Sequence, residues 1–419
     1  QDGDTIRFAH KLSYLGDFDA TTIDETGLLT FLISGYCYLD RTLFKNVRYL
    51  TPASILRVDL ESLKMTHQRY WNMVYHPEPN TNPRELCRRL DDAITKSVEL
   101  FTPDGTHRKS GIFLSGGWDS KGILGTMIRQ NRRPYCVISN GENDFEPFSD
   151  TYIARQLSQE TGIPFRLNHK NPQVGKHIIR EGVSNCELIT DTSPEVFGQH
   201  KIAPSIFEGL DFMFKGDEVW GWQDFAFNRQ QAIGHVMPNI ISPLLGKLLS
   251  PSLSDAASEL YFQEIERIWS SCNNENWNDR KDYLYLFGRV NRYIFGLGAS
   301  DEQHIEVRRP YLTSRVLAVI ADTPPKFRVQ KNLFKQMMIS SHPRLVAFGD
   351  SYTSSIPDYY YHMRYQIIDE TSRAFKNGLD FGGTVLPDKA LSLVNAFSPS
   401  LTRRIAPPLR LRLKNKIKN

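Results

Sequence analysis

Residues 111–124 read Gly111-Ile112-Phe113-Leu114-Ser115-Gly116-Gly117-Trp118-Asp119-Ser120-Lys121-Gly122-Ile123-Leu124. A short apolar run, the mark of a buried strand, ends in a Ser-Gly-Gly-x-Asp-Ser turn, and a helix begins behind it. Gly116 and Gly117 allow close approach of the backbone to a ligand. Ser115 and Ser120 add hydroxyl donors, and the first N–H groups of a helix have no partner within it. Such groups bind phosphate. Asp119 suits that setting only with a cation, and an acid beside a polyphosphate points to Mg2+ bridging the two. The turn is not the Gly-x-x-x-x-Gly-Lys-Ser/Thr loop, because no Lys follows the second Gly.

Outward from this loop, strands and helices alternate. The pattern predicts strands at 112–114, 135–139, 165–167 and 212–214, and helices at 120–130, 150–161 and within 176–208. Strands joined through helices imply right-handed crossovers and a doubly wound parallel sheet, an α/β fold. Ligands of such sheets bind at the carboxyl ends of the strands. The Ser115 loop lies there, and so does the turn Lys215-Gly216-Asp217-Glu218. Beyond about residue 240 the pattern is mostly helical. Upstream, the first 75 or so residues read as mainly β, with alternation over Ile55–Leu60. His76–Pro83 is a proline-rich linker. Asn82 reads as a helix cap, with Pro83 at the first helical position and Glu85 completing a capping box. The helix behind it lines up Leu86, Leu90, Ile94, Val98 and Phe101 on one face.

At 419 residues, with 40% hydrophobic and 23% charged residues, the chain has the composition of a globular protein with room for two domains. A net charge of +4 is too small to argue for nucleic acid. No run approaches bilayer-spanning length, and no signal-peptide pattern opens the chain. Cys37, Cys87, Cys136, Cys186 and Cys272 are scattered and never paired as Cys-x-x-Cys, which fits reduced thiols in the cytoplasm and gives no zinc site. From Arg403 onward seven cations and no acid form a basic tail. It reads as solvated, with an anionic membrane surface or acidic partner as the alternative.

Asp217 gives Asp119 a potential partner across one Mg2+, since two carboxylates plus phosphate oxygens form a shell that this ion accepts. The loop resembles the pyrophosphate loop of the ATP pyrophosphatases. Together with Gly216-Asp217-Glu218-Val219-Trp220-Gly221 it resembles the synthetase domain of the asparagine synthetase family, which pairs Ser-Gly-Gly-x-Asp-Ser with Gly-x-Asp-Glu-Val-Phe-Gly. Thr42–Pro52, Arg69-Tyr70-Trp71, Tyr283–Arg292 and Glu306–Leu312 are similar to further stretches of that family, so the likeness runs from about residue 5 to 345. It implies an ATP-pyrophosphatase (adenine nucleotide alpha hydrolase-like) sheet. A helical C-terminal extension and a small N-terminal β segment would complete it. The division expected is a glutaminase-like β remnant and linker over 1–78, an ATP-binding domain over 79–400 and a basic tail over 401–419. The activity implied is a ligase that adenylates a carboxylate, releases pyrophosphate and forms an amide with ammonia or an amine. Carried over by position, Asp119 and Asp217 hold Mg2+. Ser115, Gly116, Gly117, Ser120 and Gly216 cradle the pyrophosphate, and Leu114, Val137 and Ile138 lie near the adenosine. Asp191, Thr192 and Ser193, with Glu195 nearby, fall where the family meets its acyl substrate. A homodimer is a possible assembly.

Departures from the family narrow this reading. No glutaminase nucleophile is present, since Arg7–Lys11 resembles only the tail of that domain. Phe214 stands where the family has an acid, and Gln223 where it has a Tyr. The lysine that assists adenylation falls near Asp350 or Ser351, and no Lys lies between 336 and 375. Lys335 is taken as its substitute, with Lys331 the other candidate. These changes point to a small-molecule, saccharide or peptide carboxylate rather than free aspartate. An intramolecular lactam- or macrocycle-forming synthetase and a non-catalytic ATP-binding protein are the alternatives. His169 and His304 lack metal-ligand spacing, and Trp118 either shapes the pocket or packs.

Overall fold

The computed structural model describes residues 5–16, 22–77, 80–102, 107–141, 146–169, 190, 204–217, 220–221, 224–237, 247 and 249–351. Seven strands lie among them: β1 Ser54–Val58, β2 Met65–Arg69, β3 Ser110–Phe113, β4 Cys136–Gly141, β5 Phe165–His169, β6 Phe212–Phe214 and β7 Glu306–Arg308. The last five form one parallel sheet in the order β5-β4-β3-β6-β7. The chain therefore runs outward from β3 in one direction, returns, and continues on the other side through β6. The boundary between β3 and β6 is a topological switch point, where ligands of open α/β sheets bind.

Alternating residues of the sheet feed two hydrophobic cores. Ile112, Val137, Phe212 and Phe214 join the main core. Cys136, Ile138 and Met213 join a second core, with Phe113 and Val307 packed against it. Since successive strand side chains point to opposite faces, the sheet is covered on both sides, as a parallel sheet requires. Phe214 is fully buried, with Phe101 and Phe212 edge-on to its ring.

Three helices pack beside the site, α2 Pro83–Phe101, α3 Trp118–Arg129 and α4 Asp150–Thr161, and α1 Glu25–Ser34 precedes them in the chain. The Asn82 side chain accepts from the Arg84 N–H with Pro83 in the first turn, as its sequence indicates. The capping box does not close, because Glu85 turns outward to pair with Arg88. Leu86, Leu90, Ile94 and Val98 are buried along one face of α2, and Phe101 is half-buried.

Two elements differ from the sequence reading. The N-terminal segment is not mainly β: α1 precedes the β1–β2 hairpin, capped by Asp24, whose side chain accepts from Gly27, and ended by Gly35 in the left-handed region. Leu28, Leu29, Phe31, Leu32 and Ile33 run nearly consecutively rather than at helical spacing, so no helical stripe advertises it. The other is β7, a parallel edge strand of only three residues within the stretch read as helical. Of the helical stretch expected at 176–208, the described residues are Thr190, in an isolated bridge to Tyr36, and 204–208, which include the short turn Pro204–Phe207. No described helix is long and apolar enough to cross a membrane.

Candidate active site

Asp119 and Asp217 leave the sheet at the carboxyl ends of β3 and β6, one on each side of the switch point. Their turns touch. A methyl group on Gly216 would lie 2.8 Å from the Ser120 nitrogen and 3.1 Å from Asp119 Cβ, so glycine is needed for this approach. Within the first turn the serines hold each other: Ser115 Oγ and Ser120 Oγ are 3.1 Å apart, and Ser120 Oγ also accepts from the Ser115 N–H at 3.1 Å. The Gly117 N–H donates to Ser115 Oγ at 3.2 Å, and the Gly116 N–H to Asp150 Oδ1 at 2.8 Å. The side chains of Leu114, Val137 and Ile138 are buried in the sheet cores.

Each acid carries a cationic partner. Lys331 Nζ donates to Asp119 Oδ2 at 2.6 Å. Arg309 Nε donates to Asp217 Oδ2 at 2.5 Å, and Lys215 Nζ lies 4.0 Å from Asp217 Oδ1. Burial raises the pKa of Asp119, Lys331 opposes that rise, and the neighbouring charge of Asp217 adds to it. The two carboxylates are thus close enough to repel. Lys215 also lies 3.8 Å from Asp301 Oδ2. Burial pushes the Asp301 carboxyl up to about 6, against the pull of Lys215.

An aromatic triangle holds these turns from below. Trp220, Tyr311 and Phe334 meet edge to face, with ring centroids 5.4 to 5.9 Å apart. The Tyr311 hydroxyl donates to the Asp119 carbonyl at 2.6 Å, and a methyl on Gly122 would strike that hydroxyl at the same distance. Tyr285, buried on the π-helical stretch Tyr285–Ile294, feels the charges of both acids, though burial is the main reason its pKa is raised. Wide helical turns of this kind recur at functional sites.

The placement of Lys331 depends on strain and on a buried anchor. Gln330 and Lys331 both take left-handed conformations, with φ of 49° and 57°, which L-residues other than glycine seldom adopt. Gly221, at φ 73°, packs against this bend, since a methyl there would meet the Arg328 carbonyl at 2.5 Å and the Lys331 nitrogen at 2.8 Å. Arg328, fully buried, binds Asp282 at 2.8 Å and also pairs with Asp279.

Among the residues singled out in the sequence, the structure brings Asp119, Asp217, Gly216, Ser115, Gly117 and Ser120 together. Lys335 lies near them but not on either acid, its amine 6.0 Å from the centroid of the Trp118 ring. Asp191, Thr192 and Ser193 lie outside the described residues, although the preceding Thr190 is fully buried and bridges to Tyr36. Sequence reading gave no role to Arg309 or Tyr311 beyond the family likeness and ranked Lys331 behind Lys335. Only the bend at 330–331 separates the two lysines, and no residue-type signal marks it.

No protein-family profile matches the chain. A stretch of 148 residues, 34% of the chain, is 27% identical to a Mycobacterium tuberculosis (strain H37Rv) protein named "Putative asparagine synthetase (glutamine-hydrolyzing)". A Mycobacterium bovis protein of the same name matches equally, and the match spans 22% of the length of each relative. Among solved structures, NMN synthetase from Francisella tularensis overlaps 67% of this chain and 100% of its own at 10% identity and a TM-score of 0.23, too loosely to carry an argument. The paired motifs, the parallel sheet and the mycobacterial match agree in one likeness: this part of the chain is similar to asparagine synthetases.

Proposed function

We propose that the chain is an ATP- and Mg2+-dependent ligase that activates a carboxylate as an acyl-adenylate and joins it to ammonia or an amine. The observation that carries this reading is the contact of the Asp119 and Asp217 turns across the switch point of a parallel sheet. The donor set suits Mg2+, which binds through one or two carboxylates plus substrate phosphates. Among the described residues no group of three His, Cys, Asp or Glu is arranged to hold an ion. Asp119 and Asp217 would hold Mg2+, and when bound it would neutralise charge on the departing pyrophosphate.

The chain's own residues would do the rest. An oxygen of the substrate carboxylate attacks the α-phosphorus, and the bond to the β-phosphate bridging oxygen breaks. The nitrogen nucleophile then attacks the acyl carbon, AMP leaves, and the nitrogen gives up a proton. The Ser115–Ser120 turn offers preorganised donors to the leaving group. Lys331 can exchange its bond to Asp119 for one to a phosphate oxygen, and Tyr311 keeps the Asp119 backbone fixed while it does so. The substrate class is a small-molecule, saccharide or peptide carboxylate, and the free thiols of Cys37, Cys87, Cys136 and Cys272 suit a reducing cytoplasm.

Incubation with ATP, Mg2+ and a panel of acids and amines tests the reading. AMP and pyrophosphate are the expected products, and ADP with phosphate would overturn the mechanism. Asp119→Ala should lower pyrophosphate release by on the order of 10²–10³. A second reading, nucleotide binding without catalysis, draws on the engagement of both acids by Lys331 and Arg309. ATP binding with no pyrophosphate formed across the panel would favour it.

A further inference from the structure

One cation beside the phosphate loop has no part in the chemistry above. Lys121 follows the Ser-Gly-Gly-x-Asp-Ser turn within α3, and its side chain is 1% exposed. Its amine donates to the Gly349 carbonyl, lies 3.9 Å from Asp350 Oδ1 and stands 5.9 Å from the centre of the Trp118 ring. Burial lowers its pKa, while Asp350 and Asp150 hold it up. Gly349 takes a left-handed φ of 71°, and two residues on the chain comes down onto the loop. A methyl on Gly116 would lie 2.5 Å from Ser351 Cβ and 3.0 Å from the Ser351 nitrogen, with Ile153 Cδ1 at 2.9 Å. The Gly116 N–H, a donor suited to a phosphate oxygen, is taken by the Asp150 carboxylate. The loop is therefore covered on one side by residues 349–351 and blocked at one donor by an acid of the chain itself.

A buried ammonium needs strong local reasons, because an apolar side chain of the same length fills such a slot without desolvating a charge. The reason here is the hold on Gly349. We propose that Lys121 is a positioning residue that latches residues 349–351 across Gly116 and so controls access to the phosphate loop. The functional part of this inference rests on the nucleotide reading above. The latch itself does not.

The test uses the full chain without ligand. Amide hydrogen exchange is followed over residues 114–120 and 346–351 in the wild type and in Lys121→Met. Release of the latch should raise exchange in both segments together, by about ten-fold, while β4 stays as in the wild type. Ser351→Gly, which keeps the latch and removes the side-chain part of the cover, should raise exchange at Gly116 and Gly117 alone. Association of a non-hydrolysable ATP analogue with Mg2+ should quicken in Lys121→Met by a similar factor. Unchanged exchange in a folded Lys121→Met protein overturns the latch, as does a rise spread evenly over the molecule. Should that variant fail to fold, Gly349→Ala decides, since a side chain at φ 71° displaces the carbonyl that Lys121 holds. Wild-type exchange there also overturns the proposal. Failure of the analogue to bind the wild type would overturn the nucleotide reading alone, leaving the exchange result to judge the latch.

Discussion

Asp119 and Asp217 occupy matching turns yet have unlike hydrogen-bond partners, a lysine for one and an arginine for the other, with Lys215 farther off at 4.0 Å. A lysine is a mobile point charge, whereas a guanidinium is a planar fork that stays where its acceptors fix it. Arg309 also pairs with Glu302, so Asp217 is tied into a fixed network and Asp119 faces the movable cation. Lys331→Met should lower pyrophosphate formation by on the order of 10²–10³, in line with loss of a principal charge stabiliser. Lys335→Met, removing an amine that faces Trp118, should change the rate by less than about three-fold on the same ground. Equal losses in steady-state assays of the two variants would show that both amines reach the reacting phosphates. Gly216→Ala separates the effects of position and stability. Its methyl would press on the Ser120 backbone and part the two acid turns, so activity should fall further than the thermal midpoint.

At the scale of elements, the site is aligned by a bend rather than by a regular helix. The buried Arg328, held by Asp279 and Asp282, fixes the chain just before the left-handed pair at 330–331. Removal of one partner of a buried ion pair leaves an uncompensated charge, and Arg328→Met should destabilise the fold by about 3–5 kcal/mol in denaturant titrations. This anchor also shows where sequence reading ends. The parallel strands β3, β4 and β6 and the helix α4 are legible, since each is an apolar run or amphipathic stretch bounded by Gly, Pro or Asn/Asp/Ser. Asp119 and Asp217 are legible for the same reason, as each lies in the turn that follows such a strand. α1 is hidden because its apolar residues follow no helical stripe, and β7 because only Val307 of its three residues is apolar. The pairing of Lys331 with Asp119 spans 212 residues and depends on backbone angles that only the assembled fold enforces.

Across the whole molecule, two buried titratable groups pull stability in opposite directions between about pH 4 and 6.5. Asp301 has a folded pKa of about 6, above the ordinary carboxyl value of 3.8. The folded state therefore holds its proton more tightly, and this contribution to stability declines as pH rises from 4 to 6. His342 is the converse, its pKa lowered by burial from 6.5 to about 4. Its contribution is full above 6.5 and is lost as pH falls toward 4. Shifts of this size amount to on the order of 3 kcal/mol each, so the two slopes largely cancel. Relative to wild type, Asp301→Asn should gain stability with rising pH across that window, and His342→Gln should lose it. Chemical denaturation at pH 4, 5, 6 and 7 reads both differences. Parallel profiles for wild type and variants would show that neither group is desolvated in the folded chain.

The hydrogen bond from Tyr311 to the Asp119 carbonyl also has a consequence in time. The clamp is 192 residues downstream of the loop that it secures. At translation rates of 5–20 residues per second, roughly 10 to 40 s separate the emergence of the two. During that interval a nascent chain presents the phosphate loop without its clamp and without Lys331. Nucleotide capture should therefore come late in biogenesis, after the carboxyl-terminal half has docked. Ribosome-bound chains stalled before Pro310 should bind no ATP analogue that the released protein binds.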